Sequence, residues 1–373
     1  MRHLYILTIF ILVSCASSST QPQVDITYET LSYAKGFRIG HGKDFTVLEV
    51  LNPWDSTKLL NKYVLVDRNT KLPDSLPSGK LVRTPVQNIA AAGTIHCALL
   101  KDFNYDQNIV AVCEPEHITI EGVVKGVKEG TVTDLGNAMM PNAELLVMSE
   151  AEIMIVSPFQ NQNYSWAEKL NIPLVECAAY LEHEPLGQAE WIKFHSMFYD
   201  KRAVADSIFA ATSKNYIELK ELTAAVTEKP RVLAEKCYGQ TWWVAAGESY
   251  AAKLYKDAGA NYLWANSTGT GSLALAFESV FDTAHDADIW LIRYHIPKED
   301  LTFSLLKSEN KLYAEFDAFK NKNIYCCNTA RTDYYEKSTF YPDIILADLV
   351  KVLHPSLLDN AKPQYYKQLT TNN

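Results

Sequence analysis

Four groupings of side chains in this 373-residue chain have the types and spacing to do chemistry. Gly247-Glu248-Ser249-Tyr250-Ala251 approaches the Gly-x-Ser-x-Gly turn that lifts a nucleophilic serine between a strand and a helix. Alanine stands where the second glycine would let strand and helix pack closely. A hydrolase would also need a histidine and an acid, and in hydrolase chain order His285, His295 and His354 follow Ser249. A serine just before a helix more commonly caps it. Gly269-Thr270-Gly271-Ser272 resembles a phosphate-cradling loop but lacks the Gly-Lys-Ser/Thr ending. It reads as a glycine turn before a helix, with N–H groups that could still face a ligand oxygen. Glu114-Pro115-Glu116-His117 and Glu182-His183-Glu184 set carboxylates beside imidazoles, and His96, His195, His285 and His295 add further donors. A bare zinc or manganese ion would need three or four such groups to converge, whereas solvated loop charges are the commoner use of them. Last, Trp242, Trp243, Tyr250, Tyr262 and Trp264 crowd one stretch, and Tyr294, Tyr334, Tyr335 and Tyr341 follow. Aromatic rings give large rigid surfaces with a polar handle, suited to flat macrocycles and to catecholate or hydroxamate chelates. Strand alternation sends Trp242 and Trp243 to opposite faces, so at most one of them reaches a common site.

The elements that must position these groups are short and alternate in type. Tyr33–Gly40, Phe45–Leu51, Tyr63–Asp67 and Leu81–Pro85 read as strands between turn residues. Apolar runs at Asn108–Cys113, Glu152–Ser157 and Pro173–Ala178 follow, with helix-like stretches between them such as Asn163–Leu170. Pro185–Tyr199 reads as one helix and Arg202–Val226 as a longer one. In the latter Ala205, Ile208, Phe209, Thr212, Tyr216, Leu219 and Leu222 recur at helical spacing, and Glu228-Lys229-Pro230 ends it. Strands then recur at Arg231–Cys237, Trp242–Ala246, Ala287–Ile292 and Asn323–Cys327. A helix is expected over Ser249–Asp257, and another, Tyr341–Leu353, closes the chain. Short apolar strands alternating with helices predict an α/β fold with mostly parallel sheets, covered on both faces. Two such lobes, joined by a single long helix, account for the order of elements.

Composition agrees. The chain is 21% charged and 47% hydrophobic, with a net charge of -9 that gives no electrostatic reason to bind nucleic acid. Arg2 and His3 precede an apolar run, Leu4–Val13, far short of the ~20 residues that span a bilayer but long enough for a signal-peptide core. The run ends in Leu12-Val13-Ser14-Cys15, which resembles a bacterial lipobox. That resemblance implies cleavage before Cys15, lipidation of Cys15, and a serine-rich tether over residues 16–23. Six more cysteines, at 97, 113, 177, 237, 326 and 327, show no CxxC spacing. In an oxidising envelope some could pair, or all could be buried free thiols.

The order of motifs over roughly residues 80–355 resembles the periplasmic binding proteins for iron siderophores, haem and cobalamin, whose two lobes are linked by a rigid helix. VRTPVQNIAAAGTIHCALLKDFNYDQNIVAV, from Val82, is similar to that family's first strand, helix and second strand. TVTDLGNAMMPNAELLVMSEAEIMIVSP, from Thr131, is similar to its Gly, Asn-x-Glu and strand region, with Ser149-Glu150-Ala151-Glu152 replacing the usual Lys-Pro-Asp. EKPRVLAEKCYGQTWWVAAGESYAAKLYKDAGANYLW, from Glu228, and FESVFDTAHDADIWLI, from Phe277, are similar to the second lobe. The segment before about residue 80 is less well covered. The resemblance implies boundaries near residues 24–200 for the first lobe, 201–228 for the helix and 229–373 for the second. It implies a binding protein without catalysis, cofactor or metal of its own, working with ABC permease and ATPase subunits and held to a membrane by lipid. Ligands of such folds sit at the carboxyl ends of the strands. That places Thr94, His96, Phe159, Gln160 and Tyr180 on the first lobe's side, and Tyr250, Trp264, Tyr294, Arg331 and Tyr334 on the second's. Arg331 has the planar fork to meet an anionic chelate, or it forms a surface ion pair. The family's two permease-docking glutamates fall on Glu144 and Glu278. A direct zinc or manganese binder and a lipid-anchored serine hydrolase are the alternatives.

Overall fold

A computed structural model describes residues 25–371 except 161, 163 and 360, and all side chains in that range but those of 165 and 168. Residues 1–24, and with them the signal-peptide, tether and Cys15 expectations, lie outside the described residues.

Three units follow one another. The first is a sheet in the order β1-β2-β3-β4-β5 made of Thr27–Tyr28 (β1), Phe37–His41 (β2), Thr46–Leu51 (β3), Leu59–Asp67 (β4) and Lys80–Thr84 (β5). Its pairings are antiparallel except for the parallel β4–β5 pair. The strand expected from Tyr33 begins only at Phe37. Residues 32–36 instead run past two carboxylates that take up five consecutive backbone N–H groups. Glu190 accepts from Ser32, Tyr33 and Ala34 at 3.0, 2.7 and 2.9 Å. Glu182 accepts from Lys35 and Gly36 at 2.8 and 2.7 Å. Those donors cannot also serve a strand ladder, so the ladder stops there.

The first α/β lobe contains Ile89–Ala91 (β6), Thr94–Asp102 (α1), Ile109–Val112 (β7), Glu121–Glu129 (α2), Thr133–Asp134 (β8), Ala143–Met148 (α3), Ile153–Val156 (β9), Ser165–Glu168 (α4), Leu174–Glu176 (β10) and Pro185–Ser196 (α5). Its sheet has the order β10-β9-β6-β7-β8 and is parallel throughout. β9 and β10 are buried along their whole length, as a parallel sheet covered on both faces requires. The N-terminal sheet covers the free edge of β10. The Tyr63 hydroxyl donates to Leu174 O at 2.8 Å and accepts from Glu176 N at 2.9 Å, so an edge that would otherwise invite pairing is closed by a side chain.

Arg202–Ala224 (α6) is the long helix between the lobes. Its buried stripe changes partner halfway: Ala205 and Phe209 belong to the first lobe's core and Tyr216 to the second's. Leu222, expected within the stripe, is exposed, and Thr223 takes the buried position, donating to Asp257 O at 2.6 Å.

The second lobe has Arg231–Ala234 (β11), Cys237–Tyr238 (β12), Thr241–Ala245 (β13), Tyr250–Asp257 (α7), Asn261–Tyr262 (β14), Ser272–Leu275 (β15), Phe277–Ala284 (α8), Ile289–Tyr294 (β16), Phe303–Glu309 (α9), Asp317–Lys320 (α10), Ile324–Asn328 (β17), Tyr334–Lys337 (α11), Pro342–Leu353 (α12) and Lys367–Gln368 (β18). The main sheet, β14-β11-β16-β17-β18, is parallel but for its last pair, and β12-β13-β15 forms a small antiparallel sheet. The chain does not close on α12. It returns as β18 against β17, and Leu369 enters the core. Trp242 is fully buried and stacks on Trp290 at 5.7 Å, while Trp243 is 49% exposed, so the pair does split across the strand. The glycine turn at 269–271 leads into strand β15, not into a helix, and Gly269 N–H is taken by Glu248 at 3.0 Å. A Cβ on Gly247 would lie 2.3 Å from Ala265 O, so only glycine permits that approach. Among the described residues all the cysteines are free.

Candidate ligand-binding cleft

Every parallel strand of the first lobe ends toward the second lobe. The loop after β7 holds Glu114 in the left-handed region (φ 49°), where its carboxylate accepts from Asn137 Nδ2 at 2.9 Å. His117, later in that loop, faces His295, which follows β16 of the second lobe, with ring centroids 6.2 Å apart. This contact marks where the carboxyl ends of the two sheets meet. The loop after β8 carries Met139 and Met140, the loop after β9 carries Phe159, and the turn after β10 carries Tyr180. All four are exposed, Met140 at 81%. Phe159 and Tyr180 pack ring to ring at 5.9 Å, and the Tyr180 hydroxyl donates to Pro158 O at 2.5 Å, which fixes the pair. Phe159 and Gln160 also border a 990 Å³ hollow under the N-terminal sheet, shared with Asn52, Trp54 and Tyr164.

The floor of the cleft is a set of polar contacts from the second lobe into the first. Glu336 on α11 is buried, and both Thr94 and Thr119 hydroxyls donate to its Oε1 at 2.7 Å, with Thr119 N–H at 3.2 Å. Lys337 reaches Asp102 at 2.8 Å, Tyr341 donates to the same carboxylate at 2.6 Å, and Lys253 pairs with Glu184. Beside this floor Tyr335 is 55% exposed. Sequence reasoning missed Glu336 and Asp102, because a lone acid in a helix carries no local sign of a partner more than 200 residues away.

Of the residues expected in the cleft, Thr94 lies on its floor, and Phe159, Gln160 and Tyr180 come together on the first lobe's rim. The second-lobe set is dispersed. Trp264 is half-buried against Tyr262 at 5.8 Å. The Tyr250 hydroxyl is spent on Ser338 O at 2.6 Å. Tyr334 is buried, with the Arg293 guanidinium 5.9 Å from its ring centroid, and Arg293 is bound to Glu235 at 2.7 Å. Tyr294 is buried, and burial pushes its hydroxyl up to about 12. His96 points into the first lobe's core instead of outward. Arg331 forms a surface pair with Asp300 at 3.1 Å, beside a smaller hollow of 250 Å³.

The hydrolase reading loses its serine, and the acidic segments lose their carboxylates. Ser249 accepts from Ala252 N–H at 3.2 Å as the cap of α7, and no histidine among the described residues bonds it. Glu182, besides its two backbone donors, accepts from Trp191 Nε1 at 3.1 Å, and Glu184 is held by Lys253. The acidic, histidine-containing segments therefore serve packing and lobe contact, and among the described residues they do not converge as metal ligands.

With the two opposed parallel sheets, the long helix and the cleft in view, the comparisons agree on one class. Residues 116–330 match the family described as periplasmic binding protein, and the chain belongs to that family. An uncharacterised lipoprotein of Methanocaldococcus jannaschii is 25% identical over 312 residues, covering 79% of this chain and 71% of that one. Two solved structures share the fold. FepB, a TroA-like periplasmic binding protein of Veillonella parvula, has a TM-score of 0.59 at 13% identity, covering 78% of this chain and 96% of its own. IsdE of S. aureus, complexed with heme, has a TM-score of 0.55 at 16% identity, covering 72% and 98%.

Proposed function

We propose that this chain is the solute-binding component of an ABC importer, anchored to a membrane through lipid on Cys15. It captures a bulky metal chelate (a ferric siderophore, haem or a corrinoid) between its lobes and hands it to the permease. One observation carries the reading: the carboxyl ends of two largely parallel sheets face each other, and the first lobe leaves Met139 and Met140 exposed after one edge strand, β8, and the Phe159–Tyr180 pair exposed after β9 and β10 at the other. Large apolar side chains left in water around a concave site mark a surface built to be covered. The heme with which IsdE is complexed supports the ligand class, and the archaeal relative's being named a lipoprotein supports the anchor. Thr94 and Gln160 serve as accessory contacts on this reading, with Phe159 and Tyr180 as the anchors.

The test is visible absorbance of the purified protein titrated with a ferric hydroxamate, a ferric catecholate, haem and cobalamin. One of the four is expected to saturate at one equivalent. The double variant Phe159→Ala, Tyr180→Ala should weaken that binding by about 2 kcal/mol or more, as truncation of an aromatic hot spot does. Silence with all four chelates, or full affinity in a stably folded double variant, would sink the proposal.

A further inference from the structure

Behind the cleft the first lobe buries a second constellation that no step of solute capture uses. His96 is on the first turn of α1, Cys177 follows β10, and His195 is in the last turn of α5, so three separate elements deliver them to one point. All three are buried, at 1%, 3% and 1% exposure, and one ligand atom from each lies within 4.8 Å of the other two. Both rings are left incomplete. His96 Nδ1 and His195 Nε2 are buried with no hydrogen-bond partner, and the Cys177 thiol is free. A buried imidazole nitrogen without a partner calls for an explanation, because native proteins almost always satisfy such atoms. Two in contact, with ring centroids 5.6 Å apart, call for a shared one.

The surroundings are mostly aromatic. Phe194 and Phe340 stand edge-on to the His195 ring, each at 5.8 Å, and Phe340 comes from the second lobe's part of the chain. The other nitrogen of His96 lies 3.4 Å from Ser157 Oγ, the kind of outer contact that holds a ligating imidazole in orientation.

We propose that His96, Cys177 and His195 hold a single resident copper(I) ion in the core of the first lobe, separate from whatever the cleft carries. Two imidazoles and one thiolate are a donor set taken by soft and borderline late transition metals. Around one ion at a bond length of about 2.0–2.3 Å, three donors stand roughly 3.5–4 Å apart, so side-chain shifts of about 1 Å complete the shell. Charge selects the ion. A thiolate and two neutral imidazoles around copper(I) sum to zero, whereas zinc(II) would leave one positive charge in a pocket where no carboxylate among the described residues bonds either ring. Burying an uncompensated charge is strongly disfavoured. Zinc also seeks a fourth ligand, and among the described residues no fourth histidine, cysteine or carboxylate joins the group.

The test uses the full chain, purified anaerobically, and copper(I) supplied from a bicinchoninate complex. One equivalent should be withdrawn from the competitor, and X-ray absorption should show a shell of two nitrogens and one sulfur. Cys177→Ser should weaken copper(I) binding at least a hundredfold, while Cys97→Ser, a buried thiol outside the group, should not. Thermal melting of the metal-free variants checks that they fold. The absorption spectrum of the unaltered chain decides the matter even if Cys177→Ser does not fold. The proposal is overturned by any of four results: no equivalent bound, an all-sulfur shell, parental affinity in a folded Cys177→Ser, or zinc(II) bound in preference to copper(I). None of these bears on chelate binding in the cleft.

Discussion

Glu336 should be the residue whose loss most directly loosens one lobe from the other. Its buried carboxylate accepts the Thr94 and Thr119 hydroxyls at 2.7 Å and the Thr119 amide at 3.2 Å, all across the lobe contact. Hydrogen bonds to a charged group contribute about 1.5–3 kcal/mol each. Counting only the two hydroxyls at the lower figure gives about 3 kcal/mol, or about a hundredfold in the equilibrium between joined and parted lobes. Glu336→Ala removes the acceptor, and when the lobes part the freed donors regain water. The amide of Thr119 reports this locally. Its hydrogen exchange in Glu336→Ala should rise by one to two orders of magnitude, while amides in β9, deep in the first sheet, stay protected. A cycle with Thr119→Val should return a coupling of about 1–2 kcal/mol between the two positions. Unchanged Thr119 exchange with no coupling would refute the reasoning, and the lobes would then be held by Asp102 and packing alone.

Three further perturbations follow from the same structure. Glu190 loses solvation on burial, yet its bonds to Lys193 and to three backbone N–H groups hold its carboxyl below the usual range. Its stabilising effect is thus present above the ordinary glutamate pKa near ~4.3 and is lost as pH falls through the lowered folded value. Acid that protonates Glu190 should therefore release residues 32–34, and Glu190→Ala should cost about 3–5 kcal/mol in denaturant melts; an unaltered melt would count against this. Replacing both exposed helix-start acids, Glu144→Lys with Glu278→Lys, should abolish uptake in cells that depend on the importer while chelate affinity of the purified protein stays at the parental value. Normal uptake would remove the docking assignment. Cys15→Ser should shift the protein from the membrane fraction to the soluble one or stall its processing, and full membrane retention of a processed variant would count against the anchor.

How much of this was legible before the structure depends on the range of the interaction. Apolar runs and periodicity placed three of the first lobe's five strands, β7, β9 and β10, and the long helix within a few residues, because a buried parallel strand or a helix stripe is written in adjacent residues. The Ser249 cap and the opposed faces of Trp242 and Trp243 were legible for the same reason. The second-lobe cleft set was not. Tyr294 ends strand β16 and Tyr334 opens the helix after β17, near where the rule for such folds asks, yet Asp300 and Arg293 draw them into the lobe. Carboxylates mislead for the same cause. Glu182 looks like a ligand beside His183, but its partners are backbone amides almost 150 residues earlier. Nothing local distinguishes a glutamate that binds a metal from one that binds a stretch of main chain. His195 gives no sign in the sequence either, because a histidine on an apolar helix face does not show that another imidazole and a thiol arrive from two other elements.

The interlocking of the lobes also bears on how a ligand would be taken up. Leu186, from the first lobe's α5, is part of the second core, and Phe340, from the second lobe's chain, is part of the first. Pulling the lobes fully apart would expose both, at about 1.5–3 kcal/mol each. It would also break the Asp102 contacts and those of Glu336, the latter alone worth about 3 kcal/mol more on the lower figure used above. A total of at least ~6 kcal/mol leaves fewer than about one molecule in ten thousand fully parted. A large hinge opening is therefore not the resting state of this chain. On the proposed function the cleft is formed before its ligand arrives, and entry needs movement only of the rim loops that carry Met139, Met140 and Phe159, for which no such tie across the lobes is found among the described residues. A ligand entering a preformed cleft loses less of its binding energy to ordering the protein. Selectivity then falls to the shape and chemistry of the rim, with exposed methionines after β8 at one edge of the sheet and a fixed tyrosine–phenylalanine pair after β9 and β10 at the other.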